Sequence, residues 1–242
     1  MAVTEYALLR STMRVLAAPK RGDGHPVLVL PGFMSTDRLT GPLRDFLRRR
    51  GHAVHGWELG RNTGAHPDVM ERLERRLLDL RERHGRRVSL VGWSLGGLYA
   101  RELARAHPDD VRTVITLASP LRFRTGDKGH LSGLFERLAP RDERFVGTLD
   151  REENRPPVPV PATSIYTRSD GLVRWHACID GQGPQCENIE VRATHSGLGF
   201  NVAALLAVDD RLSQPEGEWS PFRPPAGLGA FYPRPVWWEE LS

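Results

Sequence analysis

The chain has 242 residues, 34 of them basic and 30 acidic, for a formal net charge of +4; the basic side is 32 Arg with only Lys20 and Lys128. At 39% hydrophobic and 26% charged it is neither a disordered polyelectrolyte nor a membrane-spanning protein, since no apolar run approaches the roughly 20 residues a bilayer requires. Acids are scattered among the arginines and the longest pure basic run is Arg48–Arg50, which argues against a nucleic-acid partner, while the length suits one α/β domain over residues 1–242.

Residues 5–17 carry a short helical pattern (Leu8, Leu9, Met13, Leu16), followed by a loop over 19–24. Val27–Leu30 is a continuous apolar run closed by Pro31 and Gly32, which predicts a strand buried on both faces. A helix is predicted over 41–50, with Leu43, Phe46 and Leu47 inward and Gly51 as its stop. A strand follows over 52–59. The strongest helix spans 67–84: Val69, Met70, Leu73, Leu77 and Leu80 recur every three or four residues, and Glu71–Arg75 and Asp79–Arg83 pair on its outer side. Gly85 stops it. Strands are predicted at 87–93 and 111–117, with a helix over 95–106 between them.

Residues 121–160 break this rhythm with a helical stretch near 131–139, a charged stretch and a Pro-rich run. Strands resume at 162–166 and 189–193, and a helix covers 200–212. The tail, 215–242, is rich in Pro, Gly and aromatic residues. Alternating strands and helices imply a doubly wound, mostly parallel sheet. Its core would be 26–120 and 161–212, with 121–160 inserted above it, and the arginines would lie on solvated helix faces.

The chemistry centres on Gly92-Trp93-Ser94-Leu95-Gly96, which follows a predicted strand directly and opens a helix. G-x-S-x-G in that setting is a tight turn that lifts the serine clear of the sheet, and its flanking positions must be small. A serine needs a base and a group to orient that base. In a sheet of this kind they follow in the order acid, then His, at strand C-termini. Asp170, after the strand ending at Tyr166, and His195, after the last strand, satisfy that order. His130 and His176 are alternative bases, and Asp180 is an alternative acid. His25 precedes its strand and receives no catalytic role. The oxyanion donors expected are the backbone N–H groups of Leu95, after the nucleophile, and Phe33, after the first strand.

Pro31-Gly32-Phe33, Gly92 to Gly97, Ser169-Asp170-Gly171 and His195-Ser196-Gly197 together resemble the α/β-hydrolase superfamily, in the manner of small bacterial serine esterases and lipases. The resemblance covers about residues 26–212. It implies an acyl-serine intermediate hydrolysed by water, a small-molecule or lipid ester substrate, and a lid formed by 121–160. Leu121, Phe123, Leu131, Leu134, Phe135 and Leu138 would either line an acyl channel or pack on the sheet edge. Met34 and Trp93 are further pocket candidates, Trp93 being either pocket wall or core. With only about 25 residues before the first buried strand, the family's usual leading antiparallel hairpin is not expected.

No cofactor or metal is expected, since no His or Cys near Cys178 and Cys186 has zinc-like spacing. Those two cysteines are either bridged or free. No basic n-region with an apolar stretch opens the chain, so the expected location is cytoplasmic, a removed signal peptide aside. The Trp237-Trp238 tail either folds back over its own domain or makes transient lipid-surface or partner contact. Oligomeric state is left open. The readings that compete with ester hydrolysis are acyl transfer or thioester cleavage by the same triad, and a non-catalytic scaffold that binds a partner through the tail.

Overall fold

A computed structural model of the chain describes residues 22–64, 66–122 and 157–241. The helical pattern at 5–17, the stretch at 131–139 and nearly all of the expected lid lie outside the described residues. Within them, six strands form one sheet in the order β2-β1-β3-β4-β5-β6, with every neighbouring pair parallel. The strands are β1 (Pro26–Leu30), β2 (Ala53–Gly56), β3 (Val88–Trp93), β4 (Val111–Leu117), β5 (Ala162–Tyr166) and β6 (Cys186–Glu190). Four α-helices cover the sheet: α1 (Gly41–Arg49), α2 (Pro67–His84), α3 (Leu95–Ala106) and α4 (Val202–Leu212).

Strand alternation sorts the core into two layers. Val27 and Val29 of β1 face α1 and α4, meeting Leu43, Phe46, Leu205 and Val208. Leu28 and Leu30 face α2 and α3, meeting Leu73, Leu77, Leu98 and Leu103. Each of these fully buried side chains contributes about 1.5–3 kcal/mol through removal from water. Every strand except β2 is buried at each position, because both faces of the sheet are covered.

Several elements depart from the sequence reading. Strand β2 stops at Gly56 because the Asp37 carboxylate accepts the next two backbone N–H groups, those of Trp57 (3.1 Å) and Glu58 (3.0 Å). Strand β6 lies earlier than expected, at Cys186–Glu190. Its polar residues are buried and satisfied: Glu187 takes hydrogen bonds from Thr163, Arg211 and the Phe222 N–H, and Glu190 from Tyr166 and Arg168. Helix α4 begins at Val202, where the Asn201 side chain caps the Ala204 N–H.

The arginines are also redistributed. Outer-face pairs do form, Glu71 with Arg75 and Asp79 with Arg83. Four others are buried against acids: Arg50 with Asp209 (2.8 Å), Arg101 with Asp180 (2.6 Å), Arg112 with Asp23 (3.0 Å) and Arg211 with Glu187 (2.8 Å). A buried charge must be paired, and a guanidinium can meet a carboxylate with several donors at once.

The tail folds back over its own domain. The Tyr232 hydroxyl donates to the Ala203 carbonyl, the Val236 N–H donates to the Tyr166 hydroxyl, and Asn188 donates to the Val236 carbonyl. The Trp238 N–H reaches the Asp180 carbonyl, and the Glu239 carboxylate accepts the Gln182 N–H. Both cysteines are free and buried. Burial drives the Cys178 thiol well above its ordinary pKa and that of Cys186 up to about 11.

Candidate active site

Ser94 stands between the C-terminal end of β3 and the first turn of α3 with φ 52° and ψ −119°. An L-residue adopts that backbone only where the surroundings impose it. Here they do: a side chain on Gly92 would run into Gly97, and one on Gly96 would run into the Leu30 carbonyl. The strand, the turn and the helix can therefore pack only if both positions are glycine. The Ser94 N–H is held by the Leu117 carbonyl at 2.8 Å. Ser94 and His195 are each 8% exposed.

Asp170 and His195 come together from loops at the ends of β5 and β6. The His195 Nδ1 lies 2.6 Å from the Asp170 Oδ2, and the Asp170 side chain is 1% exposed. The other carboxylate oxygen accepts the N–H groups of Leu172 (2.8 Å) and Val173 (2.7 Å). This fixes the acid from behind and leaves one oxygen for the imidazole. Thr167 links the two loops, its hydroxyl donating to the Ala193 carbonyl and accepting the N–H of Ala193 and of Ser169. The alternative acid, Asp180, is instead engaged by Arg101 and by Arg122. His176 stacks edge-on against Trp175, and His130 lies outside the described residues.

Trp93 was open between pocket wall and core, and the structure buries it in the core, 3% exposed. Its indole N–H donates to the His195 carbonyl at 3.1 Å, and its ring meets Phe200 edge-on at 5.8 Å. The residue before the serine thus holds the backbone of the histidine. Leu121, expected in the pocket, is fully buried among the α3-face residues, with its N–H on the Ala177 carbonyl. The apolar environment between helix and sheet takes it out of contact with any substrate. Phe123, Leu131, Leu134, Phe135 and Leu138 lie outside the described residues.

The loop after β1 completes the site. Gly32 approaches Ser94 so closely that a Cβ placed on it would lie 3.2 Å from the serine Cβ. Phe33 and Met34 follow. Met34 has φ 57° and its N–H is taken by the Asn62 carbonyl at 2.6 Å. Asn62, which the sequence reading did not single out, clamps this loop from three sides. Its N–H meets the Ser35 carbonyl, its carbonyl the Met34 N–H, and its side-chain amide the Pro31 carbonyl at 2.8 Å. A buried Asn beside a strand-ending Pro-Gly was the available signal, but only the fold brings residue 62 to residue 31.

Beside this loop lies an open groove of about 600 Å³, lined by Phe33, Met34, Ser35, Thr36, Arg38, Leu39, Pro42, Arg61 and Phe200. Met34 lines this groove and is 49% exposed.

Among curated proteins, a pimeloyl-[acyl-carrier protein] methyl ester esterase of Neisseria meningitidis is 42% identical over 62 residues, which is 26% of this chain and 22% of that protein. The chain thus spans about a fifth of the length of the curated relatives it matches. Among solved structures, Aspergillus fumigatus lipase B superposes with a TM-score of 0.62 at 18% identity, covering 83% of this chain and 55% of that one. A metagenome-derived lipolytic enzyme gives 0.59 at 20% identity (78% and 92% covered), and Paleococcus ferrophilus monoacylglycerol lipase gives 0.54 at 16% (81% and 95% covered). At such identities the likeness is one of fold. The model of the Alpha/beta hydrolase family matches residues 27–239, nearly the whole described core and tail, and the chain belongs to that family.

Proposed function

We propose that the chain is a serine hydrolase that cleaves carboxylic esters through an acyl-serine formed on Ser94. The observation that carries this reading is a strained, nearly buried serine at the strand–helix turn, whose neighbour Trp93 holds the backbone of His195, an imidazole with its Nδ1 2.6 Å from a buried carboxylate. Asp170, its other oxygen already held by two backbone donors, orients His195 and stabilises its charged form. That leaves Nε2 of His195 to take the Ser94 proton as Oγ attacks the ester carbonyl. The developing oxyanion is received by the N–H groups of Leu95 and Phe33, the first lying at the N-terminus of α3 where negative charge is favoured. His195 then gives its proton to the departing alkoxide, and water repeats the sequence to release the acid.

The lipases and the ester esterase named above support small-molecule or lipid esters as the substrate class. Treatment of the folded protein with a fluorophosphonate, followed by peptide mapping, is expected to find the adduct on Ser94. Ser94→Ala should lose nearly all ester turnover, and a folded wild type left unlabelled at Ser94 overturns the reading. Adding a competing alcohol or thiol during turnover distinguishes hydrolysis from acyl transfer by the product formed.

A further inference from the structure

Many described arginines are paired with acids and several are not, and two of the latter, Arg38 and Arg61, share one groove. Arg38 and Arg61 are exposed, and neither has an acidic partner among the described residues. Both line the groove beside the Phe33–Met34 loop. Arg61 directly precedes Asn62, whose buried side chain is bonded to the Pro31 carbonyl, so its backbone is anchored. Arg38 follows Asp37, whose carboxylate is anchored on the Trp57 and Glu58 N–H groups. The Ser35 hydroxyl lies buried in the same wall with no partner among the described residues. Thr36 apart, the rest of the lining is apolar: Phe33, Met34, Leu39, Pro42 and Phe200.

The groove adjoins the loop that approaches Ser94. Gly32, next to Phe33, touches Ser94, and Phe200 packs on Trp93, the residue before Ser94. A substrate carbonyl at Ser94 would thus place one apolar arm along Phe33, Met34 and Phe200, with its end beside two guanidinium groups. Left empty of anions, two like charges at one groove repel each other; an anionic oxygen there relieves that and is met by fork-shaped donors.

We propose that the preferred substrate is an ester with a second, anionic group, a carboxylate or a phosphate, at the far end of an apolar arm of several methylenes, recognised by Arg38 and Arg61. This rests on the ester-hydrolase reading of Ser94.

The test compares kcat/KM for monomethyl adipate with that for methyl hexanoate, the same acyl length with and without the charge, and adds methyl 6-(phosphonooxy)hexanoate as the phosphate arm. The wild type is expected to favour an anionic ester about tenfold, the sum of two partly exposed charge pairs. The preference should shrink with added salt and fall to about one in the Arg38→Gln/Arg61→Gln variant. Arg61→Lys should retain part of it, which separates charge from side-chain shape. Which of the two anionic esters gains the preference assigns the anion as carboxylate or phosphate. An anionic-to-neutral ratio of one or less for both in the wild type, or a ratio that the arginine substitutions leave unchanged, overturns the proposal.

Calorimetric binding of monomethyl adipate to Ser94→Ala separates the two levels. Binding lost on Arg38→Gln/Arg61→Gln supports the groove whatever the fate of turnover. Ester turnover that persists in Ser94→Ala refutes the hydrolase reading instead.

Discussion

The most quantitative expectation concerns His25, which lies at the opposite end of the sheet from Ser94. Its Nε2 is 2.8 Å from the Ser89 hydroxyl and its Nδ1 is 2.5 Å from the Asp23 carboxylate, so Ser89, His25 and Asp23 copy the residue types of the proposed triad. Ser89 and His25 are fully buried, and the assembly is a structural tie. Burial, reinforced by the charge of Arg112, pulls the His25 pKa from 6.5 down to about 4. The contact with Asp23 is therefore a hydrogen bond from a neutral imidazole to a carboxylate at physiological pH. In the unfolded chain the same imidazole takes a proton near pH 6.5. Its contribution to stability is thus complete above pH 6.5 and is lost as pH falls toward 4, the unfolded state binding the extra proton. A shift of this size at ~1.36 kcal/mol per pH unit amounts to roughly 3 kcal/mol, a large part of the 5–15 kcal/mol that holds a typical domain together. Asp23 acts outside this window: hydrogen bonds from His25, Arg112 and Arg86 outweigh its desolvation and hold its carboxyl far below the usual range, so its share is lost only at more acid pH. The variant to make is His25→Gln, with urea midpoints read by tryptophan fluorescence at pH 7.5, 6.5, 5.5 and 4.5. At pH 7.5 the variant should be less stable by about 1 kcal/mol, for one imperfectly replaced hydrogen bond. At pH 4.5 the order should reverse, because the variant has no imidazole to protonate. Wild-type and variant stabilities that run parallel across the whole range would refute the assignment.

Other expectations follow from the site and the cysteines. Asp170→Asn should fold normally yet lower ester kcat by roughly 10⁴-fold, since the amide favours the wrong imidazole tautomer; steady-state kinetics beside a circular dichroism spectrum checks both halves. Trp93→Phe keeps the ring but removes the donor to the His195 carbonyl, and should cut kcat by about five- to tenfold with little change in KM. Ser89→Ala should leave turnover intact while lowering the thermal midpoint, which distinguishes the buried look-alike from the proposed triad. Cys178 and Cys186, both buried with thiols held protonated, should resist a disulfide-exchange reagent at pH 8 and react with two equivalents only in denaturant.

Much of the architecture was legible because buried parallel strands leave a strong apolar signal. The runs Val27–Leu30, Val88–Trp93 and Val111–Leu117 are buried at every position, and α2 announced itself through its periodicity and the left-handed Gly85 at its end. The turn at Ser94 was legible because its glycines follow a buried strand and open a helix, and Asp170 and His195, both singled out from their places after strands, lie 2.6 Å apart. The parts that escaped are those in which polar residues are buried against distant partners. Strand β6 reads as CENIE, and only the presence of Thr163, Arg211 and Tyr166 beside it makes Glu187 and Glu190 tolerable in a strand. Asn62 and Asp37 hold the groove loop through contacts more than nineteen residues away, which no local pattern encodes. The role of Trp93 escaped for the same reason: its partner, the His195 carbonyl, is 102 residues further on.

The tail bears on the solubility of the protein. Strand β6 ends the sheet, and the last strand of an open sheet is a template on which another chain can add. Here that side is occupied: Val236, Trp238 and Phe222 sit against Asn188, Asp180 and Glu187, and the two charges buried on β6 depend in part on Phe222 and on Tyr166, which the tail also engages. A chain shortened before residue 215 would lose this cover and unpair Glu187 from one of its donors. Such truncations should then favour self-association through the β6 edge, and expression tags placed directly after Leu212 carry the same risk.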